Sequence, residues 1–251
     1  GIPYILLLRG GDLENRLKNN RFLSKLLFKK ASKLISPSTF LKNVFKKYGY
    51  PVYVLPTPIN DKFFTIESRI EYQPKLLWVR KFHSIYNPQM AIRLLKVLED
   101  ELANVKLVMI GPEIDGSLKK CEVLAAKLDV SDKVDFLGLI NKKDLIQYYS
   151  ESDIFINTTN IDNTPLSVLE AMASSLAIVS TKVGGIKYML NHNTAYLVEV
   201  NNEFEMSNNI IDIIHKQQKV QTKVNKAKTY AEKFRWGFLK NQWKQIINDI
   251  K

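Results

Sequence analysis

Short apolar runs alternate with stretches of helical periodicity along most of this chain. Residues 3–8 and 52–55 are compact apolar runs suited to buried strands, and Gly10, Gly11 and Asp12 follow the first as a turn and helix cap. Between residues 21 and 35, Leu23, Leu26, Leu27, Ala31, Leu34 and Ile35 recur at three- and four-residue spacing with lysines between them, which predicts one basic amphipathic helix. Ser36-Pro37-Ser38 ends it and caps a helix at 39–48, which Gly49 stops. PTPIND, at 56–61, has the proline-rich, polar look of a linker. From residue 76 the alternation is regular: apolar runs at 76–80, 106–110, 134–137, 153–157, 177–180 and 195–198 are separated by amphipathic segments at 88–102, 117–128, 142–150 and 165–174. Such alternation predicts a parallel, doubly wound α/β fold. The tail reads as helices at 203–217, 222–232 and 236–250.

Composition narrows the class. At 251 residues and 45% hydrophobic content the chain can bury a real core, as one large domain or two small ones. A single cysteine, Cys121, excludes a disulfide framework and fits a reducing compartment. No apolar run reaches the roughly 18–20 residues of a bilayer span, and the opening GIPYILLLRGGD lacks the basic head and cleavage site of a signal peptide. A cytoplasmic protein is expected, soluble or peripheral on the inner face of the membrane. The net charge is +12, and no acidic residue lies between Glu14 and Asp61, where Arg16, Lys18, Arg21, Lys25, Lys29, Lys30, Lys33, Lys42, Lys46 and Lys47 all fall. That field draws anions: phospholipid surfaces, nucleic acid or phosphorylated substrates. The helix over 21–35 therefore reads either as a cover for a sheet with a solvated basic face or as a membrane-surface helix.

Candidate chemistry gathers in residues 158–185. There is no GxGxxG, no P-loop and no metal cluster, since His83, His192 and His215 are far apart with no Cys or His near them. Ser167 and Ser180 lack the glycine-flanked elbow of a hydrolase. In 158–185 an apolar run leads to a polar loop carrying Asp162, Pro165 stands where a helix begins, and a second run ends in Gly184 and Gly185. Parallel strands would bring both loops to one crevice. The helix start favours a negative group, the glycine pair lets backbone approach a ligand, and Arg80, followed by Lys81, puts a cation at the mouth. Asp162 and Glu170 are carboxylates suited to neighbouring hydroxyls, as in ribose or a sugar. From pattern alone they serve equally well as an ordinary loop residue and a helix acid paired with a lysine.

These stations resemble the nucleotide-sugar site of the retaining family-4 glycosyltransferases (glycosyl transferases group 1), whose GT-B architecture sets two Rossmann-like domains across a cleft. Asp162, seven residues, Glu170 and then Ala171-Met172-Ala173 follow the family pattern, as do Val183-Gly184-Gly185, Phe136-Leu137-Gly138, Ile110-Gly111 and PTPINDKFF. The resemblance implies a complete C-terminal donor domain with a partial N-terminal one. Residues 1–58 would be a remnant of the acceptor-side domain, 59–74 an interdomain linker, 75–232 the nucleotide-sugar domain, and 233–251 a helix packing back toward the N-terminal part. The chain would then be a fragment or a split part needing a partner.

The implied activity moves a sugar from a UDP- or GDP-sugar to an acceptor hydroxyl with retention, in cell-surface polysaccharide or glycolipid synthesis. A lipid-linked or saccharide acceptor and an anionic membrane surface would be the partners; nucleic acid would not. Glu170 would hold the ribose and Asp162 would lie by the donor sugar. Arg80 would neutralise the diphosphate, without a metal or any other cofactor. Thr164, Pro165, Leu166, Ser167, Gly184 and Gly185 would cradle sugar and phosphate, and Gly138, Leu139 and Ile140 would lie near the base. Departures qualify these roles. Asp162 is one methylene shorter than the usual Glu, and Tyr86-Asn87-Pro88 replaces a Lys-Gly turn, leaving Lys81 as the substitute cation. Lys187-Tyr188 replaces Pro-Glu, and Arg9 stands where the family has a catalytic-region His. The alternatives are a noncatalytic membrane-surface or partner-binding scaffold derived from this fold and a nucleotide-sugar epimerase.

Overall fold

The first apolar run, β1 (Ile5–Leu7), pairs in parallel with β2 (Lys33–Ser36), and β2 pairs on its other side with β3 (Val52–Val54). This is seen in a computed structural model that describes residues 2–9, 18–19 and 21–249, so the turn expected at Gly10, Gly11 and Asp12 lies outside the described residues. Strand β2 corrects the helix expected over 21–35. Helix α1 (Arg21–Lys30) stops at Lys30, and Leu34 and Ile35 are buried on opposite faces of the strand. Leu34 packs with Phe45 and Val52, whereas Ile35 packs with Leu55 and Leu239. Two adjacent apolar residues fit either period, and pairing on both edges decides between them. Leu8 N–H donates to the Ile35 carbonyl at 2.7 Å and Leu55 N–H to the Ser36 carbonyl at 2.9 Å, bonds a continuing helix would forgo.

Ser38 caps α2 (Thr39–Lys46) as its position predicts, its hydroxyl oxygen accepting from Leu41 N–H at 3.2 Å. Phe28 seats α1, its ring centre 5.5 Å from that of Phe45 and 5.0 Å from that of Tyr50. Phe22, Leu26 and Leu27 stay exposed. The stretch with the look of a linker is packed. Ile59 and Phe63 are buried, Ile59 N–H donates to the Phe234 carbonyl at 3.0 Å, and the Arg69 guanidinium reaches Asp153 at 3.3 Å and the Tyr149 carbonyl at 2.6 Å.

The chain then alternates β4 (Lys75–Val79), α3 (Pro88–Glu99), β5 (Lys106–Ile110), α4 (Ser117–Lys127), β6 (Val134–Gly138), α5 (Lys142–Glu151), β7 (Ile154–Asn157), α6 (Leu166–Ala173), β8 (Ala177–Thr181), α7 (Ile186–Met189) and β9 (Tyr196–Val198). Helices α8 (Glu203–His215), α9 (Gln217–Ala231) and α10 (Trp236–Asn248) follow. The larger sheet is parallel throughout, in the order β6-β5-β4-β7-β8-β9. Both faces are covered: Leu76 and Trp78 of β4 enter one cluster with Met90 and Leu94, and Leu77 enters another with Val168 and Met172. Winding starts at β4, runs outward to β6, then restarts on the other side at β7. The chain therefore leaves β4 and β7 in opposite directions, and a crevice opens between their C-terminal ends. Helix α10 returns to the small sheet, where Leu239 is buried against Ile35 and Leu55 and Lys33 pairs with Asp249 at 2.6 Å.

Candidate active site

The crevice between β4 and β7 receives Arg80 from one side and the loop with Asp162 from the other. The two side chains form an ion pair, nearly enclosed by protein. The Arg80 guanidinium also lies over the Tyr86 ring, 4.9 Å from its centre, a cation–π contact that fixes its plane. Asp162 Oδ1 accepts from the Asn163 N–H at 2.8 Å. Burial pushes the Asp162 carboxyl up from its ordinary range, and Arg80 opposes that shift. Arg80 Nε is buried with no hydrogen-bond partner among the described residues.

Helix α6 starts in the same crevice. Pro165 is its N-cap, so the first amides, at Leu166 and Ser167, are not used within the helix. Ser167 Oγ is likewise buried with no partner among the described residues. One turn further on, Glu170 Oε2 accepts from the hydroxyl of Tyr149, which is fully buried on α5, at 3.1 Å. The same hydroxyl lies 3.2 Å from the Ser167 carbonyl; its single proton favours the charged carboxylate. Burial raises the Glu170 carboxyl, against the pull of the Tyr149 hydroxyl, Lys142 and Arg80. Tyr149 is held well above its ordinary value by burial and by Glu170.

A cavity of about 170 Å³ at the mouth is lined by Arg9, Thr57, Tyr86, Asp162, Thr164 and Leu166, among others. The structure thus brings Arg9, from the loop after β1, to a cavity shared with Asp162, the ion-pair partner of Arg80. Gly138 ends β6 and Leu139 and Ile140 follow it, on the same sheet edge but two strands from Arg80. Leu139 is exposed there, and Ile140 packs on the core. Lys81 is exposed beside Arg80.

The glycine pair has a structural reason that the sequence did not show. Gly184 has φ of +48°, and a Cβ there would lie 2.2 Å from the Asp162 carbonyl oxygen; one on Gly185 would lie 1.8 Å from that of Asn163. Gly185 N–H donates to the Asp162 carbonyl at 2.8 Å. What approaches these glycines is the 162–163 backbone, which they hold in place. Sequence reasoning missed Tyr149, Asn163 and Tyr86 as parts of the site. Tyr149 sits in an amphipathic helix where an aromatic reads as core, and Asn163 is one polar loop residue among several. It accepts from the Ser38 hydroxyl across the cleft. Tyr86 carried a signal, an aromatic in the loop that follows a strand-ending arginine.

The sequence model of the family described as Glycosyl transferases group 1 matches residues 60–234. An uncharacterized glycosyltransferase of Methanocaldococcus jannaschii is 24% identical over 94% of this chain and 65% of its own length. The N-acetyl-alpha-D-glucosaminyl L-malate synthase of Bacillus anthracis is 24% identical over 91% of this chain and 58% of its own. The chain thus spans less than two thirds of either relative. Among solved structures, Anabaena HepE in complex with UDP and glucose superimposes with a TM-score of 0.83 at 18% identity, over 98% of this chain and 71% of HepE. That likeness shows the fold.

Proposed function

Because this chain belongs to the glycosyl transferases group 1 family, we propose that its crevice binds a nucleoside-diphosphate sugar and that the protein transfers the sugar to an acceptor hydroxyl with retention. One observation carries this reading: Arg80, paired with Asp162, and the unused amides at the start of α6 stand together where β4 and β7 end, beside a cavity lined by Asp162, Thr164 and Leu166. A cation and free helix amides together suit a diphosphate. UDP in the HepE structure supports the ligand class. The bond from the anomeric carbon to the diphosphate breaks with its electron pair. The acceptor oxygen then bonds that carbon on the same face, and its proton passes to the departing diphosphate oxygen. Arg80 and the α6 amides stabilise the charge that develops on the leaving group, and Lys81 adds a cation at the rim. In this proposal no metal is needed. Glu170, oriented by Tyr149, takes the ribose hydroxyls; Asp162 and Arg9 stand at the donor sugar; Gly138, Leu139 and Ile140 edge the base.

The proposal extends to place and acceptor. No helix among the described residues is long and apolar enough to cross a membrane. Helix α1 exposes Phe22, Leu26 and Leu27 together with Lys25, Lys29 and Lys30, the combination by which a helix lies on an anionic lipid surface. A cytoplasmic enzyme held there would serve a lipid-linked or saccharide acceptor in polysaccharide or glycolipid synthesis. A thermal-shift screen with UDP-, GDP- and ADP-sugars tests the donor site. One of them at a hundredfold its Kd should stabilise the wild type by about 2.7 kcal/mol and leave Glu170→Ala unmoved. Equal stabilisation of both would count against Glu170 as the ribose residue.

A further inference from the structure

We propose that a second cavity, between the 192–196 segment and α9, binds a phosphorylated small anion at a site separate from the donor crevice. Its volume is about 330 Å³. Its position follows from the topology: residues 192–196 lead into β9, so the cavity lies at the N-terminal edge of the parallel sheet, opposite the edge that carries Arg80 and Asp162. Lys216, at the N-cap of α9, and Lys219, Lys223 and Lys226 within it all line the cavity. Their spacing of three, four and three residues puts them on one helical face. A basic helical face ordinarily looks into water. This one also borders a wall made by His192, Asn193 and the Tyr196 ring, against which Lys223 is half-buried while Lys216, Lys219 and Lys226 stay exposed.

The charge in the cavity is uncompensated. Asp212 is the acid of the lining, and Lys216 already pairs with it at 2.7 Å. Lys223 donates to the His192 carbonyl and stands over the Tyr196 ring, 4.7 Å from its centre. Neither partner carries a negative charge. Burial, reinforced by neighbouring Lys226, pulls the Lys223 ammonium below its ordinary value, as expected where like charges gather away from water. Lys219 and Lys226 are exposed, with no side-chain partner among the described residues. A phosphate dianion would bridge Lys219, Lys223 and Lys226 with charge-assisted bonds, and the Thr222 hydroxyl and Asn193 amide on the lining would serve an attached polyol. The volume admits a small phosphate ester or condensed phosphate.

Titration calorimetry of the full chain with sodium tripolyphosphate is the test, in the wild type and in Arg80→Gln, which disables the donor crevice. In both backgrounds Lys219→Gln with Lys226→Gln should weaken binding at least about tenfold. Lys29→Gln with Lys30→Gln, the same charge change on α1, should not. Nucleotide-sugar stabilisation should survive Lys219→Gln with Lys226→Gln, so failure here is distinguishable from failure of the donor assignment. Equal weakening by the two charge-matched pairs, or none by either, overturns the proposal. Flotation on phosphatidylcholine vesicles with and without phosphatidylinositol phosphate separates the sources. Flotation that needs the phosphorylated lipid and both lysines identifies a headgroup, and tripolyphosphate binding without flotation identifies a soluble phosphate. Absence of both also overturns it.

Discussion

Tyr149→Phe isolates one hydroxyl. The ring is packed on two sides, stacked on Phe155 with centres 6.1 Å apart and edge-on to Phe63 at 5.1 Å, and phenylalanine keeps both contacts. What is lost is the bond to Glu170 Oε2 at 3.1 Å. A hydrogen bond to a charged group contributes about 1.5–3 kcal/mol, so the melting temperature should fall by roughly 3–12 °C for a chain of this length. That fall alone would mark a structural hydroxyl. The functional claim is that the bond also aims the carboxylate, so nucleotide-sugar affinity should fall about tenfold, or about 1.4 kcal/mol. The hydroxyl also pulls the Glu170 carboxyl down, so the pH below which donor binding fails should rise in the variant. Calorimetric titration from mildly acidic to neutral pH measures both. If stability falls while affinity and pH profile match the wild type, Tyr149 does not position Glu170.

Arg80→Gln strands Asp162 in a buried site without its cation. Stability should fall by about 3 kcal/mol or more by chemical denaturation, and Arg80→Gln with Asp162→Asn should recover most of it without restoring donor binding. Burial raises the Glu170 carboxyl above its unfolded value, so its contribution to stability is complete below the unfolded pKa and is lost as pH rises through the folded one. Ligand-free Glu170→Gln should therefore gain stability relative to wild type as pH rises above the ordinary carboxylate range, and a flat difference in denaturation midpoint would contradict this. Gly184→Ala forces a side chain into φ of +48° and against the Asp162 carbonyl, and should cost about 1–3 kcal/mol from backbone strain alone, with donor affinity falling as the loop moves. Phe22→Ser with Leu26→Ser on α1 should abolish flotation on anionic vesicles while leaving the melting temperature within about 1 °C, since exposed substitutions change stability little.

The larger sheet was legible because parallel strands covered on both faces appear as unbroken apolar runs, and every run from residue 76 onward became a strand with ends shifted by a residue or two. Arg80 and Asp162 were legible because strand ends are local features and the topology brings them together. Leu34 and Ile35 misled because an apolar pair satisfies both periods, and only β1 and β3 on either side settle it. Ile59 and Phe63 were hidden in a polar, proline-rich stretch whose partners lie far away in sequence. The glycine pair was visible, but the backbone packed against it was not, since that contact is set by folding across β7 and β8. Tyr149 could not have been separated from its helix's other core positions without the carboxylate opposite it.

The chain passes twice between the small sheet and the larger one, near Ile59 and again near Arg235, and the two passes are stitched together. Ile59 and Arg235 form a parallel bridge, the Arg235 guanidinium meets Asp61 at 2.9 Å, and it covers the Phe64 ring at 4.7 Å. Two independent tethers would let the halves slide and twist. A bonded pair behaves as a single strap, which resists both. Across the cleft from that strap lie the Ser38 hydroxyl on Asn163 and the Phe40 ring 6.1 Å from that of Tyr188. These contacts act as a latch, and opening the cleft means releasing it.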